Sequence, residues 1–285
     1  MRKLLEPLYR PVLKFATRSY VAGDTLDDAL QICASAASRG YGVSVCYWHE
    51  TGESAERVAE EYLTSIDRLA AAKLDAHLAV KVPALHERLD LLGRVVERAR
   101  DCGVGVDFDA HEPDKADDVF RVSEALGRRS LGLAMPGRWR RSLADADRAA
   151  DLGLRVRVVK GEFPDPAEPD VDLREGYLKV IDRLAGRARL VGVATHDAWL
   201  SGEAIRRLKA AGTPCEQELL FGLPFEPAAA EARKAEIATR VYVPYGFAWL
   251  PYSVSRAVKN PRVFAWLARD FLAGRAREIP APPKE

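Results

Sequence analysis

The feature that most limits what this chain can fold into is a regular alternation of short apolar runs with longer amphipathic segments. The apolar runs are Val43–Trp48, Leu78–Val82, Val104–Phe108, Leu131–Met135, Val156–Val159, Leu190–Ala194, Gln217–Leu220 and Arg240–Val243. Helical patterns lie between them at Ala55–Ala72, Leu89–Asp101, Ala116–Leu126, Leu143–Leu152, Leu173–Ala185, Glu203–Ala211 and Pro227–Lys234. Apolar strands separated by helices read as βα units joined by right-handed crossovers. Parallel strands covered on both faces lose the polar alternation of a half-wet sheet. Eight units predict a closed α/β barrel of the (βα)8 TIM type, an architecture that keeps about 250 residues around one core. A doubly wound open sheet is the alternative, but its dinucleotide-binding form carries G-x-G-x-x-G after a strand, and this chain has none.

The flanks complete a single-domain reading over residues 1–285. Residues 1–40 are expected to form N-terminal helices, with Asp24–Thr25 capping the helix that begins at Leu26. Residues 41–272 form the barrel, including a helical stretch from Trp249 to Phe271, interrupted at Pro261 and expected over the barrel mouth. Residues 273–285, with three prolines from Ile279 onward, are expected to be a flexible tail.

Charge narrows the function. The 43 basic and 42 acidic residues are interspersed and leave a net charge of +1. Nucleic-acid binding needs a strong basic bias, and none is present. Cys33, Cys46, Cys102 and Cys215 are far apart and form no C-x-x-C pair, so free thiols in a reducing, cytoplasmic setting are expected. Arg2, Lys3, Glu6, Arg10 and Lys14 break up the leucines of Met1–Lys14. No apolar run approaches the roughly 20 residues of a membrane helix. A peripheral contact with the inner face of a membrane through this basic segment is the alternative to a helix packed on the barrel.

A barrel places its chemistry at the C-terminal ends of the strands. Strand one ends at His49–Glu50. Strand two carries Lys81 inside an apolar run, where a charge is costly unless paired. Strand three sets Asp107 and Asp109 on one side at a spacing of two, and Lys81 and Asp107 are expected to neutralise each other across the mouth. Strand five presents Arg155 and Arg157 together, followed by Lys160 and Gly161. Strand six ends in Thr195-His196-Asp197, strand seven carries Glu216 and Glu218 before Leu220, and strand eight ends near Tyr242. Tyr252 and Arg256 follow, four apart on one helical face. Any one of these charges is as compatible with a structural ion pair as with catalysis. Jointly they suit an anionic ligand held by Arg157, Lys160 and Arg256. No H-x-H, H-E-x-x-H, G-x-S-x-G or Walker loop is present, so no metal site is expected. The basic runs Arg138–Arg141 and Arg206–Lys209 read as solvated helix starts and faces, with contact to the phosphates of a ligand as the alternative for the first.

These strand ends resemble the proline dehydrogenase family, of the monofunctional bacterial type. Arg157-Val-Val-Lys-Gly-Glu-Phe163 is similar to that family's strand-five motif, and Val193-Ala-Thr-His-Asp197 to its strand-six motif. Tyr242-Val-Pro-Tyr-Gly246, Trp249-Leu-Pro-Tyr252 and Arg256 resemble its strand-eight and helix-eight signature. The resemblance runs in order over roughly residues 20 to 272. It implies non-covalent FAD, oxidation of proline to pyrroline-5-carboxylate with hydride passing to the flavin N5, and electrons passed on to a quinone or other acceptor. Carried over by position, Lys81, Asp107 and Arg157 would be catalytic, with Arg157 beside N5. Asp107, Val159, Lys160, Gly161, Thr195, His196 and Asp197 would meet the cofactor. Lys81, Leu220, Tyr242 and Tyr252 would surround the amine, and Arg256 would pair with its carboxylate.

Departures cluster around the substrate. Ser255 replaces the first of two adjacent arginines, Phe163 stands for a tyrosine, and Lys259 stands for an acidic residue. Glu50 keeps an acidic gate position whose arginine partner would be Ser255. The glutamine expected after strand four has no counterpart in Ala134-Met-Pro-Gly-Arg-Trp139. Loss of one charge-assisted partner costs about 1.5–3 kcal/mol. The expected substrate is therefore proline or a related cyclic amino acid, whether hydroxylated, N-substituted or larger. Two other readings are a non-redox lyase or aldolase using Lys81 as a Schiff-base nucleophile, and a flavin-binding homologue without proline activity.

Overall fold

The computed structural model describes residues 21–50, 52–109, 113–127, 131–161, 163–167 and 171–246. The expectations for Met1–Lys14, the Trp249–Phe271 helix, the tail, Tyr252, Ser255, Arg256 and Lys259 lie outside them.

Eight parallel strands close into a barrel in chain order, with the last pairing to the first. They are β1 (Gly42–Trp48), β2 (Ala76–Lys81), β3 (Gly105–Asp109), β4 (Leu131–Pro136), β5 (Arg155–Val159), β6 (Leu190–Ala194), β7 (Cys215–Leu220) and β8 (Thr239–Gly246). Helix α1 (Leu26–Ala37) precedes β1. The helices that follow successive strands are α2 (Ala55–Ala71), α3 (Leu89–Cys102), α4 (Ala116–Leu126), α5 (Ser142–Asp151), α6 (Leu173–Leu184), α7 (Ala198–Ala210) and α8 (Glu226–Lys234).

Most boundaries agree with the sequence pattern to within two residues. β8 runs three residues past the expected Val243, and helix α7 starts five residues before the expected Glu203. Asp197 ends β6's loop and caps α7 at once, its Oδ1 accepting from the Leu200 N–H at 3.3 Å. At the N-terminal end, Thr25 caps α1 in a reciprocal box: its hydroxyl accepts from the Asp28 N–H, and Asp28 accepts from the Thr25 N–H. The Ala22 N–H donates to Pro244 O and the Gly246 N–H to Gly23 O, tying the entry of α1 to the end of β8.

The apolar core lies between the strands and the surrounding helices. Val43, Val45, Leu78, Val80, Val106, Phe108, Val156, Val158, Val191, Val193, Val241 and Val243 are all buried there. Successive strand residues point to opposite faces, so the alternate positions turn into the barrel. In the deeper layers those positions are mostly small or charged: Ala79, Gly132, Ala134 and Gly192 alternate around the interior with Asp107, Arg155, Glu216, Glu218 and Arg240. The strands are thus apolar toward the helices and ionic toward the axis. All four cysteines are free, Cys33 and Cys46 buried and the other two half-buried. Among the described residues, no helix is long and apolar enough to cross a membrane.

Candidate active site

Strand pairing fixes the depth of each inward side chain. Lys81 lies opposite Asp109, whereas Asp107 lies opposite Ala79, one layer deeper. The expected Lys81–Asp107 pair therefore does not form. Asp107 is instead the acceptor for Arg155 Nη1 at 2.7 Å and for His77 Nδ1 at 2.9 Å, both on the same oxygen. It is 1% exposed. Burial alone would raise its carboxyl, but Arg155 and then His77 outweigh burial and hold it well below the usual carboxylate range. Its other oxygen has no hydrogen-bond partner among the described residues. A Cβ at Gly132 would come within 2.0 Å of that oxygen, so glycine there makes room for the carboxylate.

From Asp107 a string of ion pairs runs along the barrel. Arg155 Nη2 donates to Glu216 at 2.6 Å and to Glu218 at 2.8 Å. Toward the N-terminal end, Arg240 Nε donates to Glu216 at 3.0 Å and Arg240 Nη2 to Asp75 at 3.1 Å. Toward the mouth, Arg157 Nη1 donates to Glu218 at 3.0 Å and Nη2 to Asp109. Burial opposes the charge on Arg157, yet Asp109 and Glu218 keep it protonated. Burial likewise opposes the charge on Glu218, and Arg157 and Arg155 hold that carboxyl low. The Arg157 guanidinium also lies 4.8 Å from the centroid of the Tyr242 ring, whose hydroxyl donates to Asp109 at 3.4 Å. Burial, reinforced by Cys46 and Asp109, keeps that phenol protonated.

Above this network the mouth opens. Val159, Ala194 and Leu220 are the last inward-facing positions of β5, β6 and β7, Ala134 and Tyr242 face inward from β4 and β8, and all five are half-buried. Four of the five present small or apolar surface. Together they give the interior a small, mainly apolar floor at the mouth. Two residues before Val159 on β5, the Arg157 Nε–H is buried with no acceptor among the described residues. Lys81, 9% exposed, has its ammonium 5.6 Å from the Trp48 ring centroid and makes no ion pair among the described residues.

The β5 and β6 ends are already interlocked. Lys160 Nζ donates to Asp197 Oδ2 at 3.1 Å, and Arg174 Nε donates to the same oxygen at 2.8 Å. Burial would raise the Asp197 carboxyl, but Arg174, the Leu200 N–H and Lys160 lower it. His196 uses both ring nitrogens: Nε2 accepts from the Leu220 N–H and Nδ1 donates to Pro224 O, each at 2.9 Å. That pins the loop after β7 to the end of β6. Thr195 Oγ1 accepts from the Asp197 N–H. Gly161 has φ +89° and a Cβ there would meet Pro136 Cβ at 2.8 Å, so the chain leaving β5 must be glycine. The anion site expected from Arg157 and Lys160 is therefore not a pair of free cations, because each already holds a carboxylate. Arg141 in the first basic run is likewise committed, to Asp117 and Asp145, and Arg206 and Arg207 in the second are both bound by Glu203.

Sequence reasoning did not single out His77, Arg240, Trp48 or Gln217. His77 and Arg240 lie at even spacings from Lys81 and Tyr242 and so share their inward face, which was the available signal. Gln217 points the other way, fully buried: its Nε2 donates to Val193 O at 2.8 Å and Thr195 O at 3.1 Å, and its Oε1 accepts from Ser201.

The fold and mouth define a (βα)8 barrel with an ionic interior and a half-buried apolar floor at the C-terminal ends of its strands, the position of the catalytic site in enzymes of this architecture. No family model matches the chain. It is similar to proline dehydrogenase of Deinococcus radiodurans, 24% identical over 96% of this chain and 95% of the relative. It is also similar to proline dehydrogenase 1 of Bacillus subtilis (strain 168), 26% identical over 91% of each. Among solved structures, proline utilization A from Bdellovibrio bacteriovorus superimposes with a TM-score of 0.76 at 18% identity, covering 95% of this chain. The chain spans 37% of that larger protein. These similarities agree with the resemblance of the strand-end motifs to the proline dehydrogenase family.

Proposed function

We propose that this protein is an FAD-dependent oxidoreductase that converts proline, or a related cyclic secondary-amine amino acid, to its imine, a product of the pyrroline-5-carboxylate type. The observation that carries this reading is that the family's strand-end motifs converge on one mouth, where a half-buried floor of Ala134, Val159, Ala194 and Leu220 adjoins the unpartnered Arg157 Nε–H. Floor and donor suit a flavin ring. When bound, FAD supplies the two-electron acceptor for the substrate hydride and passes the electrons to a quinone-type acceptor.

The chain's own residues would orient the amine. Lys81, free of carboxylates among the described residues, supplies a cation for the substrate carboxylate from one side of the mouth. Arg256, carried over from the family motif, supplies a second. Leu220 and Tyr242 offer apolar surface to a five-membered ring, and the Trp48 and Tyr242 rings limit water near the reacting carbon. Val159, Lys160, Gly161 and the Thr195–Asp197 turn would hold the remainder of the cofactor, with Lys160 exchanging its contact with Asp197 for a phosphate oxygen. Asp107 acts from beneath by fixing Arg155.

The test is the visible absorbance spectrum of the purified protein, followed by anaerobic addition of L-proline. Oxidised-flavin absorbance that bleaches with proline is the expected result. Bleaching only with other cyclic amines keeps the oxidoreductase reading and moves the substrate away from proline, consistent with Ser255 and Lys259. No flavin uptake after reconstitution with FAD overturns the reading. Replacing Arg256 with methionine should raise the KM for the amino acid, and an unchanged KM removes Arg256 from the carboxylate site.

A further inference from the structure

Glu218 joins the mouth of the barrel to its interior charges. Its two carboxylate oxygens are divided between two arginines: Oε1 accepts from Arg157 at 3.0 Å and Oε2 from Arg155 at 2.8 Å. All three side chains are buried. Arg157 is consequently gripped on three sides, by Glu218, by Asp109 and by the face of Tyr242. Charge-assisted bonds to two separate nitrogens fix the plane of a guanidinium as well as its position. The same two carboxylates cancel the charge that Arg157 would otherwise show at the floor. Arg155 cannot restore it, since Arg155 is itself shared with Asp107 and Glu216.

We propose that Glu218 is a positioning residue for Arg157: shared between Arg155 and Arg157, it fixes the Arg157 guanidinium at the edge of the floor and limits the positive charge presented to a bound flavin. The proposal rests on the flavin reading given above. In Glu218→Gln the shape is kept but the side chain loses its negative charge. Because Oε1 and Oε2 face different arginines, the amide oxygen takes the place of only one of them, and the amide NH2 then faces the other guanidinium, donor against donor. Arg157 loses part of its grip, and the surroundings of the floor gain one unit of positive charge. A reduced flavin carries more negative charge than an oxidised one, so the added positive charge favours the reduced state. A purely structural role for Glu218 would change stability without moving that balance.

Two measurements on wild type and Glu218→Gln test this. One is the midpoint potential of the flavin in the holoenzyme, by equilibration with a reference dye. The other is hydrogen exchange at Arg157 Nε in the flavin-free protein, read from 15N-arginine spectra and assigned by the signal missing in Arg157→Lys. The variant is expected to favour the reduced flavin at least tenfold, about 30 mV more positive for a two-electron couple, and to exchange the Arg157 Nε–H at least tenfold faster. A potential that does not move positive overturns the proposal, and so does Arg157 exchange within twofold of wild type. If the protein takes up no flavin, the cofactor reading fails by itself and the exchange rates still decide whether Glu218 positions Arg157. Should Glu218→Gln not fold, the double variant Arg155→Gln with Glu218→Gln keeps the charge balance of the network and carries the same exchange test.

Discussion

Replacing Arg155 with methionine should be among the most damaging single changes in the barrel, and its cost should depend on pH. Arg155 has a side chain 3% exposed and touches three buried carboxylates, Asp107 at 2.7 Å, Glu216 at 2.6 Å and Glu218 at 2.8 Å. Breaking one buried ion pair by removing a partner costs about 3–5 kcal/mol. Here one guanidinium serves three partners, so the upper end of that range applies. At about 2–4 °C per kcal/mol for a protein of this general size, the melting temperature should fall by roughly 10 °C or more. The sign of the pH dependence follows from Asp107 and Glu218, whose folded-state values lie below their unfolded ones. Their contribution is complete above the unfolded values of about 4 and is lost as pH falls through the folded values. Methionine removes the main cation acting on Asp107 and one of the two acting on Glu218, so the stability gap between wild type and Arg155→Met is full at neutral pH and closes as pH falls below about 4. Urea denaturation across this pH range measures it. A variant melting within two or three degrees of wild type at pH 7, or a gap that does not change with pH, would refute the reasoning.

Other expectations follow from the same geometry. Gln217→Leu strips hydrogen bonds from two backbone carbonyls and from Ser201; at about 1–3 kcal/mol for each buried group left unsatisfied, denaturant titration should show a loss of at least about 2 kcal/mol. Gly132→Ala places a Cβ 2.0 Å from Asp107 Oδ1, and overpacking of this kind costs about 1–3 kcal/mol, so an unchanged melting temperature would mean the carboxylate is not seated there. Burial pushes the Cys33 thiol up to about 12. Because the thiolate is the reactive form, peptide mapping after native labelling at pH 8 should find Cys33 unmodified, and modified once the chain is unfolded.

The barrel was legible because its signal is local and repeated. Each strand carries apolar residues at alternate positions for the helices, and runs such as Val156–Val159 announce themselves without knowledge of their neighbours. Helix α7 was cut short because Ala198, Trp199 and Gly202 weaken the pattern, although Asp197 was there to cap it. The site was legible as pairs, since Asp107 with Asp109, Arg155 with Arg157 and Glu216 with Glu218 each show their shared face through a spacing of two. Which pair meets which was not legible. That depends on the stagger between strands, a property of the closed sheet and of no single segment. The stagger sets Ala79 beside Asp107 and Lys81 beside Asp109, and it sets Asp107, Gly132 and Arg155 in one layer, so Arg155, two strands along, reaches a carboxylate that an unstaggered reading gives to Lys81.

The same stagger explains how Lys81 and Arg157 come to differ at one mouth. Arg157 descends from β5 between Asp109 and Glu218, where two carboxylates hold it charged and give each Nη a partner, while Nε has none among the described residues. Lys81, on the opposite wall, lies in the layer of Asp109, yet its ammonium is directed over Trp48 and meets no carboxylate among the described residues. A buried guanidinium with five donors is suited to being fixed by several partners, whereas an ammonium on a flexible stem can turn to a new anion. The two cations therefore divide the work: Arg157 is a rigid edge to the floor, and Lys81 is the charge available to an incoming carboxylate. An arginine at position 81 would reach toward Asp109 and compete with Arg157 for it. A lysine at position 157 could not hold Asp109 and Glu218 in one plane.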